Sequence, residues 1–394
     1  MIVFTGAGTG GHVLTAISVI ERLRELDPNI PIKFIGSINL QKGRWGQPSI
    51  DEILCKRYGI DYVKIRTGKV QRYIEPRTFK LLGYIPLGFW DSFVQIRKLK
   101  PKIVIGFGGF TTPPVTFWGR ALGAKVFVHE QTLSPGLANR VAALWAHRVL
   151  TSFPPELTQF SLRIKKKLIH TGYPVRRIFN ITTFNKLVKH IESLPKEQKQ
   201  VYTKQYLEGL KFFEDKKYLL VLGGGLGSAV LNEFVLQNLE YFAKKTYLFV
   251  QTGRSEYFDK LKEAVGKLPK TLRKKVIVKD FLYEEMGYVL SNAGVVLSRS
   301  GAGFTYQIGM LGKKAILVPL PFSRGDEQLK NAKLLEQLGL GYVLPQSSLS
   351  LPNFEKAYKA VVASKPKLAE IKKIFIKNAD YRIAKLLLDE YNKK

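Results

Sequence analysis

The chain has one cysteine, Cys55, in 394 residues, with three methionines and five histidines. A lone thiol cannot close an internal disulfide, so the fold is expected to rest on an apolar core in a reducing compartment. Long apolar runs are also missing. None reaches the roughly 18 residues that a membrane-crossing helix needs. The opening MIVFTGAG has no basic leader region and no small-residue cleavage site, and it runs straight into a strand-like segment. No export is expected from it. Neither a C-x-x-C pair nor H-E-x-x-H occurs, so no zinc site is expected. No Walker lysine follows a glycine loop, and no D-x-D pair stands ready to hold a metal on a nucleotide diphosphate. Acidic residues are scarce: 31 Asp and Glu against 63 Lys and Arg, a formal charge of +32. That field favours anionic partners (nucleic acid, acidic lipid or phosphorylated substrates) without choosing among them, and much of the lysine reads as ordinary solvated surface.

The residues present describe a folded α/β protein. Hydrophobic residues make up 45% and charged residues 24%, and the length allows two domains with separate cores. Strand-like runs MIVFTG, IKFIGS, KIVIGFGG, AKVFVHEQ and RVLTSF fill the first half. YLLVLGGG, TYLFVQTG, KVIVKDF, AGVVLSRSGAG and KAILVPLPF fill the second. They alternate with amphipathic segments such as VLTAISVIERLRELD, which predicts βαβ units and parallel sheets. We expect two Rossmann-like, doubly wound domains over 1–172 and 173–369, with a helical tail at about 370–394. The break falls in GYPVR, and the polar segment 178–216 behind it reads as charged helix and loop on the surface.

Four strand ends are rich in glycine: GAGTGGH (6–12), GFGGF (106–110), GGGLG (223–227) and RSGAG (299–303). Glycine lets backbone amides approach an anion, and a following helix contributes its positive end. Each loop alone is equally explained by a tight strand-to-helix turn. Four of them across two domains favour a phosphate-bearing ligand in a cleft. Residues 6–11 approach the dinucleotide fingerprint, but Ser37 stands where an acidic residue should follow the second strand, which argues against a dinucleotide. His12 closes the first loop. A histidine there can take a proton from a hydroxyl, or it can merely cap the helix.

These motifs, in order, resemble the MurG family of glycosyltransferases: GAGTGGHV (6–13), VHEQTLSPGLANRVAA (128–143), GYPVR (172–176), GGGLGSAVLN (223–232), QTG (251–253), DFLYEEM (280–286), SRSGAGFTYQIG (298–309) and the D-x-Q of GDEQLKNA (325–332). The resemblance runs from about residue 2 to the final helix, with an insertion-like stretch near 178–216. It implies the GT-B fold, with the first domain taking a lipid acceptor, the second taking UDP-N-acetylglucosamine, and the last helix packing back on the first. The implied reaction is inverting, metal-independent and cofactor-free. N-acetylglucosamine would pass to a polyprenyl-diphosphate-linked muramoyl-pentapeptide, lipid I, giving lipid II for peptidoglycan. The enzyme would sit peripherally on the cytoplasmic side of the cell membrane, without nucleic acid.

Residue by residue, the resemblance makes His12 the base or a positioner of the acceptor, beside Thr9, Gly10 and Gly11. His129 and Glu130 are rivals for that role, with Thr132 and Asn139 in the same motif, while His147, His170 and His190 lie in no such pattern. Gly301, Ala302, Gly303 and Phe304 would face the diphosphate, with Gly225 nearby and Arg176 as a cationic clamp. Phe281 and the Leu282 main chain would read uracil, Gln307 the ribose, and Asp326 with Gln328 the sugar hydroxyls. Four positions depart from the family. Gln307 replaces a usual Glu, giving up a charge-assisted bond. Thr132 replaces Asn, Gly225 replaces Ser, and Thr15 replaces Pro. GGFTTPP (108–114) also replaces the commoner GGYVSGP. Residues 69–102 interleave Tyr73, Phe79, Leu82, Ile85, Phe89 and Trp90 with Lys69, Arg72, Arg77, Lys80, Arg97, Lys98 and Lys100, and Trp118 can add to them. This pattern suits an anionic bilayer surface, or a helix packed on the core. Two other functions stay open: a relative acting on another lipid such as diacylglycerol, and a non-catalytic basic binding protein.

Overall fold

A computed structural model describes residues 1–8, 10–38, 47–68, 76–224 and 227–393, without the side chains of 76–82 and of Arg324. Its contacts divide the chain into two compact units, Met1–Arg176 with Ile374–Lys394, and Arg177–Lys373.

The first unit is a parallel sheet of seven strands: β1 Ile2–Thr5, β2 Ile32–Ser37, β3 Tyr62–Ile65, β4 Ile103–Gly106, β5 Lys125–Glu130, β6 Arg148–Thr151 and β7 Leu168–His170, in the order β3-β2-β1-β4-β5-β6-β7. The central strands are apolar on both faces because both are covered. Ile2, Phe4, Ile103, Ile105 and Leu150 point to one packed layer, and Val3, Val104, Val126, Val128 and Val149 to the other. The helix Gly10–Leu26 buries Val13, Ala16, Ile17, Ile20 and Leu23, a spacing of three and four residues that makes one stripe. The end of the chain covers that stripe. After Asn378 turns through a left-handed conformation (φ 60°), the helix Ala379–Asn392 brings Ile383, Ala384 and Leu387 into the same core. Ion pairs fix its two ends: Arg22 with Asp380 (2.9 Å) and Lys125 with Glu390 (2.6 Å).

The second unit has six parallel strands: β8 Tyr218–Leu222, β9 Tyr247–Gln251, β10 Val276–Lys279, β11 Val295–Ser298, β12 Lys314–Leu317 and β13 Gly341–Val343, in the order β10-β9-β8-β11-β12-β13. Leu219, Val221, Leu248, Val250, Leu297 and Ile316 pack against Leu231, Phe234, Phe242, Leu261, Phe354 and Val361 from the covering helices. The polar segment expected to be mere surface is more than that. Its helices Phe184–Ser193, Lys196–Lys199 and Lys204–Phe212 bury Leu187, Tyr202, Leu210 and Phe213. Lysines on the outer faces dilute the apolar positions in sequence, so the buried stripe is hard to see there.

Both sheets share one topology. The chain winds outward in both directions from a central pair, β1 beside β4 and β8 beside β11. At such a switch point the connections leave to opposite sides, and a crevice opens at the carboxyl ends of the strands. No helix among the described residues is long and apolar enough to cross a membrane. Because the tail helix completes the first unit's core, Leu387→Ala is expected to lower its unfolding free energy by about 2–5 kcal/mol, measured by urea denaturation. An unchanged midpoint would show that the tail is dispensable.

Candidate active site

The four glycine loops fall two by two at the switch points. In the first unit the loop after β1 meets the loop after β4. The Phe107 amide donates to Thr5 O (2.8 Å) and the Ala7 amide to Gly108 O (3.3 Å). Gly109 has φ +81°, and a Cβ there would lie 1.9 Å from the Ala7 carbonyl oxygen, so only glycine permits this approach. Thr112 ties the loop to the following helix. Its hydroxyl donates to Gly108 O (2.8 Å), and Thr5 donates to Thr111 (3.0 Å). The departing GGFTTPP sequence is thus a stiff loop, with prolines in the first turn of the helix Thr112–Ala121. Thr15, in place of proline, donates to Gly11 O (2.6 Å) and lies 3.0 Å from the Tyr173 hydroxyl.

His12 stands in this crevice, in the first turn of the helix Gly10–Leu26. Its ring lies against Gly108, where a Cβ would sit 2.9 Å from Cε1. Burial lowers its pKa from 6.5 to about 4, against the opposing pull of the Gln131 side chain and the Phe107 carbonyl. The imidazole is therefore neutral near pH 7, and its Nδ1 is buried without a hydrogen-bond partner. Gly10 and Gly11 begin the same helix, and Thr9 lies outside the described residues.

The rivals for the base are buried and bonded in their own loop. His129 is fully buried on β5, bonds through Nε2 to Gly172 O (3.1 Å) and packs on Phe107, with its buried Nδ1 unpartnered as in His12. Glu130 is buried and accepts from the amides of Thr132 (2.9 Å) and Gly136 (3.2 Å), from Asn139 Nδ2 (2.9 Å) and from the Thr132 hydroxyl (2.9 Å). Burial raises its pKa while those donors pull it down. A carboxylate with this many donors organises the loop leading into the helix Leu137–Ala142. Thr132 and Asn139 serve the same cluster, and the buried Oδ1 of Asn139 lacks a partner. Arg176 is held on the helix Gly10–Leu26 by Glu21 (3.0 Å), bonds the Tyr58 hydroxyl (2.8 Å) and lies over that ring.

In the second unit the loop after β8 meets the loop after β11. Arg299, after β11, donates to Ser228 Oγ (3.1 Å), while Gly227 (φ +83°) packs on the loop after β9, where a Cβ would lie 2.1 Å from Thr252 O. Gly225 lies outside the described residues. Gly301 precedes the helix Ala302–Leu311, with open space where its Cβ would be. Ala302, Gly303 and Phe304 form the first turn. Gln307, one turn further, has its Oε1 buried and unpartnered. Asp326 takes a left-handed conformation (φ 53°) before the helix Glu327–Gln337, and its side chain does not cap that helix. The Gln328 side chain accepts from the Leu320 amide (2.9 Å), while its carbonyl accepts from Ser300 Oγ (2.7 Å). Leu282 is buried and Phe281 half-buried, both just beyond β10.

Several residues with a part in these crevices escaped the sequence reading. Gln131 follows the Glu of the HEQ motif and faces His12. Arg299 begins the loop after β11. Its guanidinium bonds Ser228 Oγ (3.1 Å), Val318 O (3.1 Å) and Gln346 Oε1 (2.7 Å), with no carboxylate partner among the described residues, and burial lowers its pKa. Gln251 ends β9 and donates to Gly224 O (3.0 Å) and Asp280 O (3.3 Å). Asp51 is buried, accepts from the Gly8 amide, and has its pKa raised to about 7 mainly by burial. The first three share one signal, a polar residue within two positions of the end of an apolar strand. Asp51 carries no such mark.

These features match known proteins over the whole chain. Residues 2–151 match the glycosyltransferase family 28 N-terminal domain and residues 218–387 its C-terminal domain. A protein of Borrelia garinii subsp. bavariensis named UDP-N-acetylglucosamine--N-acetylmuramyl-(pentapeptide) pyrophosphoryl-undecaprenol N-acetylglucosamine transferase is 31% identical over 99% of this chain and 96% of its own. The protein of the same name from Clostridium tetani is 31% identical over 89% and 86%. Among solved structures, Acinetobacter baumannii MurG shares the fold with a TM-score of 0.66, 20% identity, and coverage of 98% and 99%. The UDP-GlcNAc 2-epimerase of Neisseria meningitidis, bound to UDP-GlcNAc, shares it with a TM-score of 0.60 and 13% identity over the full length of both.

Since burial favours the uncharged imidazole, His12 and His129 are expected to stay neutral from high pH down to about pH 4. Their ring resonances in an NMR titration should move near there. Movement near 6.5, the ordinary value, would contradict the buried environment.

Proposed function

The chain belongs to the MurG family, within glycosyltransferase family 28, and we propose that it transfers N-acetylglucosamine from UDP-N-acetylglucosamine to a polyprenyl-diphosphate-linked muramoyl-pentapeptide. The observation that carries the reading is Arg299. A half-buried guanidinium with only neutral partners stands at the second unit's switch point, beside the amino end of the helix Ala302–Leu311. A diphosphate would supply the missing anion, held by that cation and by main-chain amides at the positive helix end. Gln307, one turn along with its Oε1 buried and unpartnered, is assigned to a ribose hydroxyl. Asp326 and Gln328 are assigned to the sugar hydroxyls, and Phe281 with Leu282 to the base.

The first unit takes the acceptor. His12 stands at the first unit's switch point, with its buried Nδ1 unpartnered against Gly108. In its neutral form it accepts the proton of the attacking hydroxyl, which adds to the anomeric carbon as the UDP oxygen leaves with its bonding pair. The configuration at that carbon inverts. An acceptor diphosphate near the ring favours the imidazolium and raises the basicity that burial has lowered. Charge on the departing UDP is countered by Arg299 and backbone dipoles fixed before the reaction, without need of a metal. Glu130, Thr132 and Asn139 hold the loop that places Gln131 against His12.

A membrane-borne acceptor needs a membrane-facing surface, and we assign that part to an aromatic face of the first unit. On the helix Pro76–Leu99, Phe89, Trp90 and Phe93 join Phe117, Trp118 and Trp145 in one run of ring contacts. Trp90 is 61% exposed, with Leu87 and Val94 exposed on the same helix. Arg97 lies over Phe93, and Lys98 and Lys100 are exposed. Lys69, Arg72 and Tyr73 lie outside the described residues, as do the side chains of Arg77, Phe79, Lys80 and Leu82. Apolar rings beside cations suit the interface of an anionic bilayer, here assigned to the cytoplasmic side of the cell membrane.

Two experiments test these assignments. His12→Ala is expected to lower kcat by a factor of about 10²–10⁴ at saturating acceptor, in a transfer assay with UDP-N-acetylglucosamine and lipid I. The acid limb of wild-type kcat/KM should lie near pH 4 when His12 governs it, since a base works only above its pKa. Full activity of the variant would remove His12 from the chemistry. Transfer only from UDP-glucose to diacylglycerol would favour another lipid acceptor, and salt-sensitive nucleic-acid binding without transfer would favour a binding protein. In co-sedimentation with phosphatidylglycerol vesicles, Leu87→Ala with Trp90→Ala is expected to weaken partitioning by about tenfold or more. Equal binding by the variant would place the membrane contact elsewhere.

A further inference from the structure

The segment behind GYPVR has no role in the function proposed above, yet its helices are bonded to one particular loop of the second unit. Tyr202, just before the helix Lys204–Phe212, and Tyr206, in its first turn, converge on Glu285. Tyr202 donates to Oε2 (2.7 Å) and Tyr206 to Oε1 (2.9 Å). Tyr202 also accepts the Glu284 amide (2.9 Å). His190, on the helix Phe184–Ser193, bonds the Glu284 carboxylate (2.9 Å). Glu284 and Glu285 are both buried. Two adjacent carboxylates are costly to bury unless donors meet them, and the donors come mainly from this segment. Lys279 adds its charge, 3.8 Å over the Tyr206 ring.

The loop so held runs from Asp280 to Glu285, at the carboxyl end of β10. Its first carbonyl, Asp280 O, accepts from Gln251, and the same amide group donates to Gly224 O in the glycine loop after β8. A continuous series of hydrogen bonds thus joins Tyr202 and Tyr206 through Glu285 to the loop, and from the loop through Gln251 to the switch point. The anchor is firm at its other side too. Tyr288 donates to Leu210 O (3.1 Å), and a Cβ on Gly287 would lie 2.0 Å from Ile178 O.

We propose that the helical segment Phe184–Phe212 is a brace for the nucleotide half of the site, and that Tyr202, Tyr206 and His190 are positioning residues that hold the Phe281–Leu282 backbone ready for the base of the donor. The proposal rests on the donor reading given above. A loop fixed before binding loses little freedom when the ligand arrives, so the brace acts on donor affinity. It touches no reacting atom, so it leaves the chemical step alone.

The test uses the full chain with Tyr202→Phe and Tyr206→Phe combined, which keeps both rings and removes both donors. Hydrogen exchange of the apo protein should show faster exchange at the amides of Phe281 to Glu285. Calorimetry should show UDP bound about tenfold more weakly, and KM for the donor should rise by a similar factor with kcat within about twofold. Tyr241→Phe, which removes a tyrosine–glutamate bond elsewhere in the unit, should change none of these. Unchanged exchange at the loop overturns the brace. Faster exchange with unchanged UDP affinity overturns its link to the donor, as does an equal fall in kcat. Failure of the wild-type protein to take up UDP would instead overturn the donor reading, while the exchange data still report whether the segment holds the loop.

Discussion

A parallel sheet that winds outward from its middle must leave one gap that no connection crosses, and that constraint organises each unit of this protein. At the gap two strand ends diverge and a helix begins. Close packing there requires glycine for steric reasons in the first unit, where a side chain at Gly109 would strike the Ala7 carbonyl; in the second unit Gly227 is held the same way against Thr252 of the loop after β9. A crevice beside a helix amino end, of the kind that suits a phosphate, is therefore a by-product of how the sheet is built, and the chain has that topology twice.

What distinguishes the two crevices is the charge placed in each. The first holds a histidine kept neutral by burial, with one nitrogen unpartnered. The second holds an arginine kept charged but given only neutral partners. In the function proposed above, a neutral imidazole and a guanidinium without a carboxylate partner suit opposite tasks, receiving a proton and receiving an anion. In both places the supporting shell is polar and buried. Glu130 gathers the donors of its own loop, and Glu285 gathers those of the helical segment. Each carboxylate fixes a loop.

The long basic surface has a simpler account. The sequence carries a formal charge of +32, but the cations that matter for the reading are few: Arg299 at the crevice, and those beside the exposed aromatic rings of the helix Pro76–Leu99. The remaining lysines sit mostly on outward faces, several in pairs one turn apart such as Lys244 with Glu240, where each is worth a few tenths of a kcal/mol.

The sequence by itself determined the parallel α/β architecture, its central strands and the loops that carry chemistry. Strands buried on both faces are written as unbroken apolar runs, and the turns after them demand glycine, so both are local signals. Ten strands were legible on that basis. β3, β7 and β13 were not, because these edge strands are only partly buried and lack an apolar run. Tertiary structure alone decided which loops meet, since strand order is not a local property. It alone brought Gln131 to His12, engaged Glu130 and Arg176 with partners of their own, and set the tyrosines of a lysine-rich segment against Glu285. Each of those outcomes depends on hydrogen bonds or burial between residues far apart in the chain, for which no periodicity or motif exists to be read.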